Sequence, residues 1–451
     1  MAADRTVPSS EDPLTLAEAD ALFAPLAGAG GIALAVSGGA DSIALMRLVA
    51  DWRARNGPAI PVLVLTVDHG LRAEARAEAE QVGEWARAVG LDHDILTWDG
   101  EKPAADIQAA ARAARYRLLV AACARGEMSH LLLAHHRDDQ AETVLLRLAR
   151  GSGVDGLAAM AEDTARDGLI IARPFIDQPK ARLVATLRAL GQDWIEDPTN
   201  ADRRFARPRL RSLMPALASE GLTATRLAET ARRMQRVRAA LDDAAGDLHR
   251  RCVSEDRAGF CRLDRHRLAE APEEVGLRVL SRLLMGIGGG DYPPRLDRLE
   301  RLYGLLTARP GESDSGKSAT LAGCRIGSRR GAVWISREWG RDGLPVAEIA
   351  GARAVTWDGR FEVQSDIGAT GKAPDAYSVR ALGSEGLRVL RARSRPRDIP
   401  AAVAHVAPAV YCGSKLVAAP LVEAEPGPYS PPGFTFRFLG RTKFANRGMV
   451  Q

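Results

Sequence analysis

Few of the features that staple an extracellular chain, hold a structural metal or cross a membrane occur in these 451 residues. The five cysteines, Cys123, Cys252, Cys261, Cys324 and Cys412, lie far apart, and no two form a C-x-x-C pair. An odd, scattered set excludes a disulfide framework and a structural zinc site, and leaves isolated thiols. No apolar run reaches the roughly 20 residues that span a bilayer, because Arg, Asp or Gly interrupts each. The opening Met1-Ala2-Ala3-Asp4-Arg5 leads into a polar segment and not an apolar signal core, which predicts a cytoplasmic protein. The G-x-x-x-x-G-K-[ST] loop of kinases and GTPases is also missing.

What is present fits a soluble globular chain, with 46% hydrophobic and 26% charged residues. Its length calls for two or three domains. Gly31–Val36 is a short apolar run without polar alternation, the pattern of a strand buried on both faces. A glycine turn follows, then helical spacing over Ser42–Arg53. Ile60–Val67 reads as the next strand, 74–89 as a helix, 94–98 as a strand, 107–125 as a helix, 131–134 as a strand and 140–150 as a helix. This alternation predicts an α/β fold, a doubly wound and mainly parallel sheet, with ligands at the C-terminal strand ends. Residues 1–218 make up this expected domain, 219–340 a helical and mixed middle domain, and 341–451 a small β-containing domain.

The chemically distinctive residues at 37–42, 68–72 and 135–142 all follow predicted strands. Ser37-Gly38-Gly39-Ala40-Asp41-Ser42, between a strand and a helix, is a phosphate cradle. Its glycines let backbone N–H groups converge, and the helix N-terminus adds about half a positive charge. Ser37 and Ser42 offer hydroxyls, and Asp41 offers a carboxylate for Mg²⁺ or for a backbone turn. Arg112 and Arg115, three apart on one helical face, suit charge building on a leaving pyrophosphate. Asp139 and Glu142 suit a cationic amine that must lose a proton before it attacks. Asp138 either shares that role or caps the helix after it. The adjacent His135 and His136 point in opposite directions at a strand end and read as packing around a nucleotide, not as metal ligands. For His69, loop structure and substrate contact both stay open.

The loop resembles the pyrophosphatase-type loop of the N-type ATP pyrophosphatases, which cleave ATP between the α- and β-phosphates and adenylate an oxygen. Further stretches narrow the resemblance: Val67-Asp68-His69-Gly70-Leu71-Arg72, Arg112-Ala113-Ala114-Arg115-Tyr116, and His135-His136-Arg137-Asp138-Asp139-Gln140-Ala141-Glu142-Thr143. Leu146-Arg147-Leu148, Arg150-Gly151-Ser152-Gly153 and Gly156-Leu157 continue the last of these. In this order they are similar to motifs of the tRNA(Ile)-lysidine synthase group, over roughly residues 31–215. The resemblance implies ATP at Ser37–Ser42, Asp68 and His69, with Mg²⁺ as cofactor. It implies adenylation of the C2 oxygen of cytidine 34 in the CAU anticodon of tRNA(Ile). Attack by the ε-amine of L-lysine would then release AMP. A homodimer is left open.

Arg203, Arg204, Arg207, Arg209 and Arg211 crowd nine residues and predict a tRNA footprint, with Phe205 free to stack on a base. Pro208 stands where the group carries asparagine, which removes a side-chain hydrogen bond and a backbone donor. The last domain resembles the group's tRNA-binding C-terminal domain only loosely. Two rivals differ in chemistry. A tRNA thiolase shares the fold but needs a catalytic cysteine or cysteines on an iron–sulfur cluster. A non-catalytic tRNA-binding module would have no need of the phosphate loop.

Overall fold

The computed structural model describes residues 11–57, 59–72, 74–100, 102–103, 107–166, 168–196, 204, 206–290, 292–308, 318–329, 332–349, 354–365, 377–393, 399–421 and 434–439. It divides into two compact units, which part between Arg238 and Ala239.

The first unit runs α1 (Leu16–Phe23), β1 (Ile32–Ala35), α2 (Ala40–Asn56), β2 (Val62–Asp68), α3 (Ala75–Ala88), β3 (Asp92–Thr97), α4 (Ile107–Arg125), β4 (His130–Leu132), α5 (Arg137–Leu148), α6 (Val154–Leu157), β5 (Asp163–Arg166), β6 (Leu169–Ala172), α7 (Lys180–Ala189), α8 (Ala206–Ser219) and the start of α9 (Ala224–Cys252). Six strands form one sheet in the order β3-β2-β1-β4-β6-β5, and only the β5 edge is antiparallel. The β5–β6 hairpin and α7 carry too few residues each to show a clear period in the sequence.

The run Ile32-Ala33-Leu34-Ala35 explains why the sheet is covered on both faces. Ile32 and Leu34 enter one core with Ile43 and Met46 of α2, Val82 of α3 and Leu183 of α7. Ala33 and Ala35 enter the other with Leu65, Leu119, Ala122 and Cys123. Successive strand side chains point to opposite faces, so a strand buried on both carries no polar alternation. From β1 the chain moves outward to β2 and β3, then returns to start β4 on the other side of β1. Connections leave β1 and β4 in opposite directions and open a crevice at their C-terminal ends. The loop 36–42 and the segment 133–142 both fall there.

The second unit continues with β7 (Val253–Asp256), β8 (Phe260–Leu263), α10 (Arg265–Ala269), α11 (Glu273–Gly288), α12 (Leu296–Thr307), β9 (Ala319–Leu321), β10 (Cys324–Arg329), β11 (Ala332–Arg337), β12 (Ala347–Ile349), β13 (Val355–Trp357), β14 (Phe361–Ser365), β15 (Tyr377–Ala381), α13 (Gly383–Arg393), α14 (Ala401–Ala404), β16 (Pro408–Cys412), β17 (Lys415–Ala418) and β18 (Phe434–Phe438). Its sheets are ordered β7-β8-β11-β10-β9, β12-β15-β16-β17 and β13-β14-β18. Buried Arg360 pairs with Asp358 at 2.7 Å and lies against the rings of Trp357 and Phe361. The strand content expected of the last hundred residues is present in these small antiparallel sheets.

One ion pair ties the start of the chain to α7 and so to the crevice. Arg182 of α7 forks onto both Glu18 oxygens, at 2.9 and 2.8 Å, while Thr15 closes a capping box with the same carboxylate. The hydrogen bonds from Arg182 hold the Glu18 carboxyl at about 2, below its ordinary 4.5. A depressed carboxyl stabilises the fold above its unfolded value, and that contribution disappears as pH falls through the folded one. Glu18→Gln should therefore cost about 1–3 kcal/mol at pH 7. In thermal melts its deficit against wild type should shrink between pH 4.5 and about 2; a deficit independent of pH would contradict the pairing.

Candidate active site

The loop after β1 is shaped by its glycines. Gly38 has φ +90°, and a Cβ there would meet Cδ1 of Ile195 at 2.8 Å. The Gly38 carbonyl accepts from the Ile195 amide at 2.9 Å. Gly39 caps α2 without a side chain, which leaves the first amides of the helix pointing out of the loop. Ser42 donates its hydroxyl to the Gly39 carbonyl at 2.9 Å and accepts from the Ser37 amide at 3.1 Å. Its proton is thus used to brace the loop. The exposed Ser37 hydroxyl, 3.4 Å from that of Ser42, remains at the surface. Ala40 contributes backbone only, as the first residue of α2.

Asp41 stands in the first turn of α2 and looks across the crevice. Its Oδ2 lies 3.2 Å from Nζ of Lys180 and 3.4 Å from Nε2 of His136, while its buried Oδ1 has no partner among the described residues. His136, the N-cap of α5, is buried among Asp41, Asp138 at 3.5 Å and Asp139 at 3.5 Å. Burial alone would strip its proton, but hydrogen bonds to Asp138 and Asp41 outweigh that and raise it to about 10. Charged, the ring donates from both nitrogens, so the Asp139 amide, 3.4 Å from Nδ1, is a neighbour and does not donate to it. Burial pushes the Asp41 carboxyl up, and His136 and Lys180 together bring it below its ordinary value. Asp138 follows the same logic to about 2. It also accepts from the Lys180 amide at 2.9 Å, so it caps the start of α7 and not of its own helix. Asp139 accepts from the His136 amide at 3.1 Å.

One turn further along α5, Glu142 is 2% exposed. Its Oε1 receives both Nε and Nη2 of Arg211, each at 2.8 Å, and its Oε2 has no partner among the described residues. Burial raises its carboxyl despite that arginine. Four carboxylates therefore line one side of the crevice with two cations of the chain, His136 and Lys180, between them.

The other side is basic. His69, Arg112, Arg115, Tyr116 and His135 surround a cavity of about 190 Å³. Arg112 lies over the Tyr116 ring at 5.3 Å. Burial, and then the neighbouring arginines, Arg173 first, press the His135 imidazole well below its usual value. Burial and Arg115 lower His69 likewise. The two adjacent histidines thus differ in charge: His136 is an imidazolium among carboxylates, and His135 is neutral beside arginines. Both His69 and His135 keep a buried Nδ1 without a partner among the described residues. Asp68 accepts from the Gly70 amide at 2.8 Å and shapes the turn that presents His69.

The arginine segment divides between these environments. Arg211 turns inward to Glu142, and Arg207 acts on both His135 and Glu142 from the start of α8. Arg204 and Arg209 are exposed and joined, Arg209 donating to the Arg204 carbonyl at 2.8 Å. Arg203 and Phe205 lie outside the described residues. Pro208 falls in the first turn of α8, where its missing amide has no intrahelical partner to lose. Sequence reasoning passed over Lys180, Arg173 and the charge on His136. The signal for His136 was its place between one carboxylate on the first loop and two directly after it.

A raised imidazolium stabilises the fold fully below its unfolded value of 6.5, and that contribution is lost as pH rises through about 10. His136→Gln should melt several degrees below wild type at pH 7, with the gap narrowing toward pH 10. A gap that widens with pH would show that His136 is neutral in the fold.

Residues 14–217 match the family model described as a PP-loop domain. A tRNA(Ile)-lysidine synthase of a Bradyrhizobium species is 47% identical over 72% of this chain and 96% of its own. One of Methylobacterium nodulans is 50% identical over 69% and 91%, and one of Ruegeria pomeroyi is 38% identical over 86% and 88%. Because that identity extends over almost the whole length of such relatives, the chain belongs to the tRNA(Ile)-lysidine synthase family.

Proposed function

We propose that the chain adenylates the C2 oxygen of cytidine 34 in the CAU anticodon of tRNA(Ile) and passes that carbon to the ε-amine of L-lysine. The cytidine oxygen attacks the α-phosphorus of ATP and pyrophosphate leaves; the amine then attacks C2, loses a proton, and AMP leaves. The observation that carries this reading is the division of one crevice at the β1/β4 switch point into an acidic and a basic side.

The amides at the start of α2 bind phosphate oxygens, and Arg112 and Arg115 stabilise the charge that builds on pyrophosphate. Asp139 and Glu142 hold the ammonium of lysine. The orphan Oε2 of Glu142, on a carboxyl already raised by burial, is the atom suited to take its proton. Among the described residues no three His, Cys, Asp or Glu side chains gather around a metal position. The orphan Oδ1 of Asp41 nevertheless fits one ligand of Mg²⁺, an ion that usually takes its other oxygens from phosphate and water. That ion would neutralise charge on the phosphates. The exposed Arg204 and Arg209, with Arg203, bind tRNA phosphates, and residues 341–451 add a second tRNA contact. The buried Cys123, whose thiol burial pushes up to about 11, argues against the thiolase reading.

Purified protein with Mg·ATP, labelled lysine and unmodified tRNA(Ile) bearing CAU should place label in that tRNA and release matching AMP. A methionine tRNA with the same anticodon should take none. AMP release without lysine transfer would contradict the nucleophile, and no AMP with either tRNA would contradict the chemistry. Asp41→Asn and Asp139→Asn should each abolish AMP release with tRNA affinity nearly intact; near-normal turnover in both would overturn the site. Arg204→Gln with Arg209→Gln should weaken tRNA binding and reduce its salt slope by about 1–2. An unchanged slope would remove these residues from the footprint.

A further inference from the structure

The second unit holds a cavity larger than the one in the crevice, about 620 Å³, and its lining has a consistent chemistry. Arg325 of β10, Arg337 at the end of β11, and Arg388 and Arg391 of α13 surround it together with Trp339 and His405. No Asp or Glu is among its described lining residues. Arg337 is fixed, donating to Asp358 at 3.1 Å and to the Gly323 carbonyl at 2.9 Å. Arg388 approaches Glu385 only at 4.0 Å, with both side chains about four-fifths exposed, so its charge stays available. Arg325 and Arg391 have no carboxylate partner among the described residues. Trp339 and His405 meet with centroids 4.4 Å apart and planes 57° apart, and the indole remains 41% exposed.

We propose that this pocket takes an unpaired nucleotide of the RNA substrate, its base stacked on the Trp339 indole beside His405 and its phosphates paired with the arginines. The volume lies within the range of about 300–1,000 Å³ usual for small-ligand sites. An exposed indole face, braced by a tilted imidazole and set beside guanidiniums, matches a planar base joined to phosphate, as in single-strand readers. Duplex RNA can reach the arginines but cannot lay a paired base on the indole. An acidic peptide satisfies the arginines and leaves the ring pair without a planar partner. The inference rests on the reading of the chain as a tRNA enzyme, and gives its second unit a definite contact: one unstacked nucleotide.

The test uses the full chain and a single-stranded RNA hexamer carrying one 4-thiouridine, crosslinked by near-ultraviolet light and mapped by mass spectrometry. The adduct should fall on the peptides holding Trp339 or His405. Trp339→Ala should reduce that adduct and the hexamer affinity about tenfold, and Trp339→Phe should restore both. Arg388→Gln with Arg391→Gln, both at exposed positions, should weaken binding without touching the rings, which keeps the test valid if Trp339→Ala fails to fold. Adducts confined to the first unit would overturn the proposal. So would a blunt RNA duplex that competes as well as the hexamer, or AMP alone protecting as well as the hexamer. Lysine transfer to tRNA is measured beside it. Transfer by wild type with unchanged crosslinking in Trp339→Ala overturns the pocket alone; no transfer by wild type overturns the functional reading and the pocket with it.

Discussion

The arrangement of the first unit depends on one buried cation. Asp41, Asp138 and Asp139 come from the first turns of two different helices, and three carboxylates that close in a partly dry crevice would repel one another or take up protons. The His136 imidazolium lies within 3.5 Å of all three and offsets their mutual repulsion. It stands at the N-cap of α5, where the Asp139 carboxylate also takes the His136 amide, so the cluster forms where that helix begins. Lys180 closes the far side through its side chain on Asp41 and its amide on Asp138, which fixes α7 to the same point. The phosphate loop, the start of α5 and the start of α7 are thereby held in a single electrostatic assembly.

Segregation of charge across the crevice gives the assembly its chemical use. ATP and pyrophosphate are anionic and lysine's amine is cationic, so a site for both must keep its own charges apart. The neighbouring histidines show how sharply the field changes: one residue along the chain, the ring passes from charged to neutral. Glu142 sits between the two regions, held at one oxygen by Arg211 and buried without a partner among the described residues at the other. An acceptor with one oxygen oriented and one unpartnered is suited to receive a proton without losing its position.

Much of this was legible in the sequence, for identifiable reasons. Ile32-Ala33-Leu34-Ala35 announced a strand buried on both faces, and the sheet places its alternate residues in separate cores. The distinctive residues at 37–42 and 135–142 follow β1 and β4, the two strands at the switch point, and that made their meeting predictable. What escaped were contacts set by tertiary approach. Lys180 is 139 residues from Asp41, and nothing local marks it. Asp138 has the spacing of a residue that caps its own helix but serves α7 instead. Arg211 belongs by sequence to a solvent-facing basic run, yet its fork is taken by Glu142. In each case partner choice followed from a buried charge that needed an opposite one, and linear spacing does not encode that requirement.

A protonated His136 holds the carboxylates of the crevice together at neutral pH. Proton–nitrogen correlation NMR on histidine-labelled protein reads it directly. The account predicts that the His136 ring is doubly protonated at pH 8 and titrates near pH 10, apart from neutral His135 in the same spectrum. A His136 ring already neutral at pH 8 would contradict it.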